Sequence, residues 1–148
     1  MPKSSVQTAS LPNHEPELRT LAMPEDTNAA GDIFGGWLLS QMDIAGAMHA
    51  AQQVHGRVAT VGIEAMSFHR PVFVGDRVSC YCTTSRVGRT SLTVHVNTWV
   101  RRRCEQEGFV DIQVTEGQLT FVALNSDGTK RNLPDHVPAR KFKPADSC

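Results

Sequence analysis

The chain has no excess of either charge: 15 Lys and Arg are matched by 15 Asp and Glu over 148 residues. Overall charge thus gives no grounds for nucleic acid as a partner. The run Arg101, Arg102, Arg103 is a local exception, open to reading as a solvated strand end or as an anion contact. Paired cysteine spacing is missing as well. Cys80, Cys82, Cys104 and Cys148 contain no C-x-x-C motif, so free thiols in a reducing compartment are expected. Nor is there a basic start leading into an apolar run, or a stretch near the roughly 20 uninterrupted apolar residues of a membrane span. The expected location is cytoplasmic, with no membrane partner. Internal repeats and low-complexity tracts are also absent, and the length suits one domain with a real core.

What is present is one helical segment amid strand-like runs. Residues 1–16 are polar with three prolines and the end of the chain carries three more, so 1–16 and 134–148 are expected as extended or mobile tails around a domain at 17–133. A first strand is expected at Leu18–Met23, stopped by Pro24. A helix follows over Ile33–Val54, with Asp32 as its N-cap and Gly56 past its end. Further strands are expected at Val58–Phe68, Arg77–Val87, Thr90–Arg103 and Phe109–Leu124, with Gly88 and Arg89 as a two-residue hairpin. In the third of these, Leu92, Val94, Val96, Thr98 and Val100 share one face, and Thr93, His95, Asn97 and Trp99 the other. One long helix and about five antiparallel strands make an α+β domain whose sheet curls around the helix.

Asp43 is the only Asp, Glu, Lys or Arg between Ile33 and Val54. Its stripe of the helix, at spacings of three, four and seven, is Gly36, Leu39, Ser40, Gly46, Ala47 and Ala50, mostly small residues that let another backbone approach. A carboxylate buried there without a partner is costly, so it is expected to have a partner or a job, with its pKa pushed up from about 3.9. His49 lies six residues on, about 240° round the helix, so the two are not expected to share a hydrogen bond or to act as a His–Asp pair. His55, His69 and His95 have no ligand-like spacing, and no metal is expected.

The segments MPEDTNAAGDIFGGWLLSQMD, HGRVATVGIEAMSFHRPV, VGDRV and VGRTS resemble the hot-dog-fold acyl-CoA thioesterases, in the YciA-like and brain acyl-CoA hydrolase-like branch. The resemblance runs from about Leu18 to Leu133 and is densest from Asn28 to Asp43. It implies a hot-dog fold, in which a long central helix is wrapped by a curved antiparallel sheet of about five strands. It also implies a homo-oligomer with a dimer as minimal unit, active sites at the dimer interface, and a hexamer built as a trimer of dimers. The implied substrate is an acyl-CoA, with coenzyme A as part of substrate and product and no separate cofactor.

Thioester hydrolysis needs an activated water, donors for the oxyanion and a grip on coenzyme A. Asp43 suits the first need, either as general base or as a nucleophile forming an anhydride. Gly36 is the candidate oxyanion donor, because free N–H groups point out of a helix N-terminus and glycine leaves them accessible. Gly35 is a companion binding residue; both glycines can instead serve helix contacts across a dimer. Asn28 has an equally ordinary reading as a turn residue. The resemblance places it across the interface from the Asp43 of the other subunit, where its amide orients water or the carbonyl. For the phosphates of coenzyme A the candidates are Arg57, Arg70 and the hairpin Gly88, Arg89, Thr90 and Ser91. Phe34, Trp37, Met42, Met48 and Met66 are candidates for the acyl tunnel. Two other activities share the fold: hydratase or dehydratase chemistry on an acyl thioester, and non-catalytic acyl-CoA binding.

Overall fold

The computed structural model describes residues 10–137; expectations that fall on 1–9 and 138–148 lie outside them. The elements are β1 (Leu18–Leu21), α1 (Gly35–Val54), β2 (Val58–Phe68), β3 (Arg77–Val87), β4 (Ser91–Cys104) and β5 (Gly108–Ala123), with a short 3-10 turn at Pro24–Asp26. The strands form one antiparallel sheet in the order β1-β3-β4-β5-β2. Its concave side holds α1. Leu38, Met42, Ala45 and Ala50 of the helix meet Val78, Cys80, Val94, Val96, Leu119 and Phe121 in one buried cluster.

Three expected boundaries are corrected. α1 begins at Gly35, with Phe34 rather than Asp32 in the N-cap position. The reason is that Ile33 is held in an antiparallel bridge to Thr27, an extended pairing that no helical residue can make. β1 stops at Leu21, two residues short of Met23, because Ala22 pairs instead with the next turn, donating its N–H to Asp76 O at 3.0 Å. The β3–β4 connection is longer than Gly88 and Arg89. β3 ends at Val87 and β4 begins at Ser91, so Gly88–Thr90 all lie in it, closed by the Gly88 N–H on Ser91 O at 2.7 Å.

The alternation expected of β4 is present on its inner side, where Leu92, Val94, Val96 and Val100 join the core and Thr98 is buried with them. Its outer side departs from the expectation of a half-buried strand, since Thr93 and Trp99 are buried there too. Two of the three consecutive arginines are engaged. Arg102 forks onto buried Asp76 (Nε–Oδ1 3.0 Å, Nη2–Oδ2 2.7 Å) and lies 4.4 Å above the Phe73 ring, while Arg101 forks onto Asp111. Cys80, Cys82 and Cys104 are free thiols, and burial pushes Cys80 up to about 11 and Cys82 higher still.

Parts of the expected tails, together with the first and last residues of the expected domain, pack on the body. The Glu17 N–H donates to Cys80 O at 2.9 Å, and the His14 ring meets Tyr81 edge-on at 5.7 Å. At the other end Leu133 donates its N–H to Arg89 O, and Val137 is buried with the core. Arg131 donates to Val54 O at 2.7 Å, placing a cation on the negative end of the helix dipole. His49 ties the helix to both β3 and the N-terminal segment, through Thr84 Oγ1 at 2.9 Å and Glu17 Oε1 at 3.6 Å. Burial pushes His49 and His95 below the ordinary histidine value, with Glu17 and Glu116 respectively opposing the shift.

The depth of α1 in the sheet is set by Gly46, where a methyl group would stand 2.9 Å from Phe121 Cζ. Gly46→Ala gains up to about 1 kcal/mol of helix propensity but forces overpacking of about 1–3 kcal/mol against a fully buried ring. A lower melting temperature is expected by thermal denaturation; an unchanged or raised value would show that Phe121 yields freely. For histidines whose folded value is lowered, the unfolded chain takes up protons that the folded chain resists as pH falls below about 6.5. Stability is therefore complete above that pH and declines below it. Melting temperatures from pH 7.5 to 5.5 should fall, and fall less in His49→Gln; the same profile in both would remove His49 from the effect.

Candidate active site

Asp43 stands ninth of the 20 residues of α1, half-buried, on the side of the helix that faces β2. Thr60 Oγ1 donates to its Oδ1 at 2.6 Å. Among the described residues no Lys, Arg or His nitrogen lies within 4.0 Å of the carboxylate, as the helix sequence implied. Full burial, however, is not achieved within one protomer. The stripe expected to admit a second backbone splits at Asp43: Gly46 and Ala50 are buried against the sheet, while Gly36 and Ser40 are exposed. His49 points to β3, away from Asp43, as their angular separation required.

Asn28 lies at the base of the loop that the Thr27–Ile33 bridge closes, with its N–H donating to Asp32 O at 2.8 Å. Its Oδ1 accepts the N–H groups of Ala30 (3.0 Å) and Asp32 (3.1 Å), an Asx turn that consumes the carbonyl. The Nδ2 amide has no acceptor among the described residues. The turn reading and the functional reading of Asn28 are thus compatible: one end of the amide shapes the loop, and the other is left as a pure donor.

At the helix N-terminus no side chain caps Phe34, and the first-turn N–H groups of Gly35 and Gly36 have no intrahelical acceptor. Space around a Cβ at Gly36 is open; at Gly35 it would touch Phe68 at 3.6 Å. A cleft of about 310 Å³ opens beside them, lined by Phe34, Gly35, Leu38, Phe68, His69 and Arg70, among others. Gly36 precedes Asp43 by two turns on the same side of the helix, about 10 Å along the axis.

The structure divides the expected coenzyme A contacts between two poles. Gly35 and Arg70 share the cleft at the helix N-terminus. Arg57, Gly88, Arg89, Thr90 and Ser91 lie at the helix C-terminal end. There Arg57 O and Thr90 O take the N–H groups of Leu124 and Ala123. The 20-residue helix separates the poles by about 30 Å. Of the tunnel candidates, Met42 is fully buried in the core, whereas Phe34 and Met48 are exposed. Met66 fills the space that a side chain at Gly117 would take. Sequence reasoning missed Thr60, for which the only signal is a strand start facing the helix. It also missed Phe68 and His69, which sit at a strand end that looks like ordinary core and turn.

Comparison with known proteins points one way. The thioesterase superfamily profile matches residues 30–103. The acyl-CoA thioester hydrolase YciA of Salmonella typhimurium is 50% identical over 125 residues, 84% of this chain and 94% of that protein. A hexameric hotdog fold thioesterase of Campylobacter jejuni superposes with a TM-score of 0.81 at 42% identity, covering 84% of this chain and 93% of its own. The hexameric thioesterase y2039 from Yersinia pestis gives a TM-score of 0.76 at 49% identity, covering 84% of this chain and 99% of its own.

Proposed function

The chain belongs to the thioesterase superfamily, among the acyl-CoA thioester hydrolases, and we propose that it hydrolyses acyl-coenzyme A with Asp43 as the general base. The observation that carries this reading is a single carboxylate on the central helix, oriented by one hydroxyl and, among the described residues, paired with no cation. Thr60 occupies Oδ1, which leaves Oδ2 for a water. That water gives its proton to Asp43 as its oxygen bonds to the thioester carbon. The tetrahedral intermediate then breaks its C–S bond, and the proton passes to the departing thiolate of coenzyme A. His49 is engaged by Thr84 and Glu17, so hydratase chemistry has no histidine beside the acid.

The oxyanion requires donors at about 3 Å, and the base must reach its water at a similar distance. Those spacings bring donor and base closer together than the two turns between Gly36 and Asp43 of one helix. The donors are therefore assigned to the partner subunit's Gly36 and to Asn28 of the partner subunit, whose free amide end donates to the same oxygen. β2 supplies the contact. It is an 11-residue edge strand with Val61 60% and Phe68 57% exposed, a kind of edge that isolated proteins avoid. Pairing β2 with its symmetry mate places the second protomer beside Asp43, and such dimers assemble into a homohexamer. Arg57, Arg89 and the hairpin take the phosphates of coenzyme A. Arg70 and Gly35 flank the cleft next to the oxyanion donors. Coenzyme A enters only as part of substrate and product, in the cytoplasm.

Thiol release from a panel of acyl-CoAs tests the reaction, and its absence at every chain length would reject it. Asp43→Asn should lower kcat by about 10² to 10⁴, the usual contribution of a general base. Thr60→Val removes one hydrogen bond to a charged group and should lower kcat about tenfold with KM nearly unchanged. Full turnover in Asp43→Asn would remove Asp43 from the chemistry.

A further inference from the structure

The sheet face turned away from α1 is lined at its β1 end by a cleft of about 100 Å³. Strand alternation sends Val78, Cys80 and Val100 into the core, so Arg77, Ser79, Tyr81, Trp99 and Arg101 stand on the outer face. Arg77 is directly opposite Arg101, and Arg101 directly opposite Asp111, while Arg19 of β1 faces Ser79. Like charges placed directly across a ladder repel. Asp111 answers one of them, accepting Arg101 Nε at 2.8 Å and Nη2 at 3.0 Å. Among the described residues neither Arg19 nor Arg77 has a carboxylate within 4.0 Å. Three guanidinium groups against one carboxylate leave two positive charges uncompensated.

The hydrogen-bond inventory has the same sign. Among the described residues Arg77 Nε and Trp99 Nε1 are buried without a hydrogen-bond partner, and Trp99 as a whole is only 4% exposed. Guanidinium and indole N–H groups can only donate, so the group that satisfies them must be an acceptor. At about 100 Å³ the cleft has room for a small oxyanion, and a group esterified to such an anion would extend out of it.

We propose that this cleft binds a phosphate group, at a site separated by the thickness of the sheet from the centre around Asp43. A phosphate carries about −1.5 to −2 charges at neutral pH and presents acceptors in several directions. Those charges and acceptors match the two free guanidinium groups of Arg19 and Arg77 and the indole donor. Asp111 limits the affinity by holding Arg101. The assignment does not depend on the hydrolytic reading.

Calorimetric titration of the full chain at constant ionic strength tests it, with inorganic phosphate in one arm and adenosine 5′-monophosphate in the other. The two arms distinguish a free anion from a phosphate monoester. Saturable binding is expected in at least one arm. Arg77→Met, which keeps the apolar stem, should weaken it at least about tenfold through loss of a charge-assisted hydrogen bond. Asp111→Asn should strengthen it, and both variants should retain thiol release. Arg19→Gln, a change at an exposed position, serves the same purpose if Arg77→Met does not fold. No saturable binding, or equal affinity in wild type and the arginine variants, would overturn the proposal. So would dissociation of the assembly in Arg77→Met with no effect of phosphate, which would place a neighbouring copy of the chain in the cleft.

Discussion

The rise of the α-helix is the constraint on which the proposed site depends. Gly36 and Asp43 share one stripe of α1 but stand two turns apart, about 10 Å along the axis. A single helix can thus present an oxyanion donor and a base on the same side without presenting them to the same carbonyl. Two copies of the helix, related by a two-fold axis, can do so. Asn28 adds to this geometry, since it lies still further up the chain, in the loop before the helix, with only its donor end free among the described residues.

Packing within the protomer holds the acid where that arrangement needs it. Gly46 lets α1 sink against Phe121, and the next residues on the stripe follow it into the core. Asp43, one turn earlier, is left at the boundary between core and edge strand. There Thr60 fixes one carboxylate oxygen. The same strand, β2, exposes apolar side chains along an unpaired edge. In the proposed site, orientation of the base and recruitment of the second subunit thus fall to one strand. The polar balance on the opposite face of the sheet, with its surplus of arginine, has no part in this and belongs to the proposed phosphate site.

Much of this was legible in the sequence because the signals were local. The lone charge in α1, the glycines at its start and the alternation of β4 each depend on neighbours within a few residues. The errors came where a residue was engaged by something distant. Asp32 looks like an N-cap, but the Thr27–Ile33 bridge draws the chain away from the helix before it can serve. Trp99 reads as an outward-facing strand residue, yet the outer face is itself covered at that end. The arginines assigned to coenzyme A look equivalent in a list of turns, whereas the fold sends Arg70 to one pole of α1 and Arg57 with Arg89 to the other. Thr60 offers only the weak signal of a strand start facing the helix, because its role arises from the register of β2 against the helix.

The account rests on a site shared between subunits, and mixing two inactive variants tests that most directly. Asp43→Asn and Asn28→Ala protomers are each inactive alone if both residues act. Refolded together at equal amounts, about half of the dimers are mixed and each contains one intact site, so thiol release should recover to about one quarter of wild type. Recovery to that level is the result the shared site requires. No recovery, with mixed dimers demonstrated by mass spectrometry, would mean that Asn28 and Asp43 act within one chain and would contradict the account.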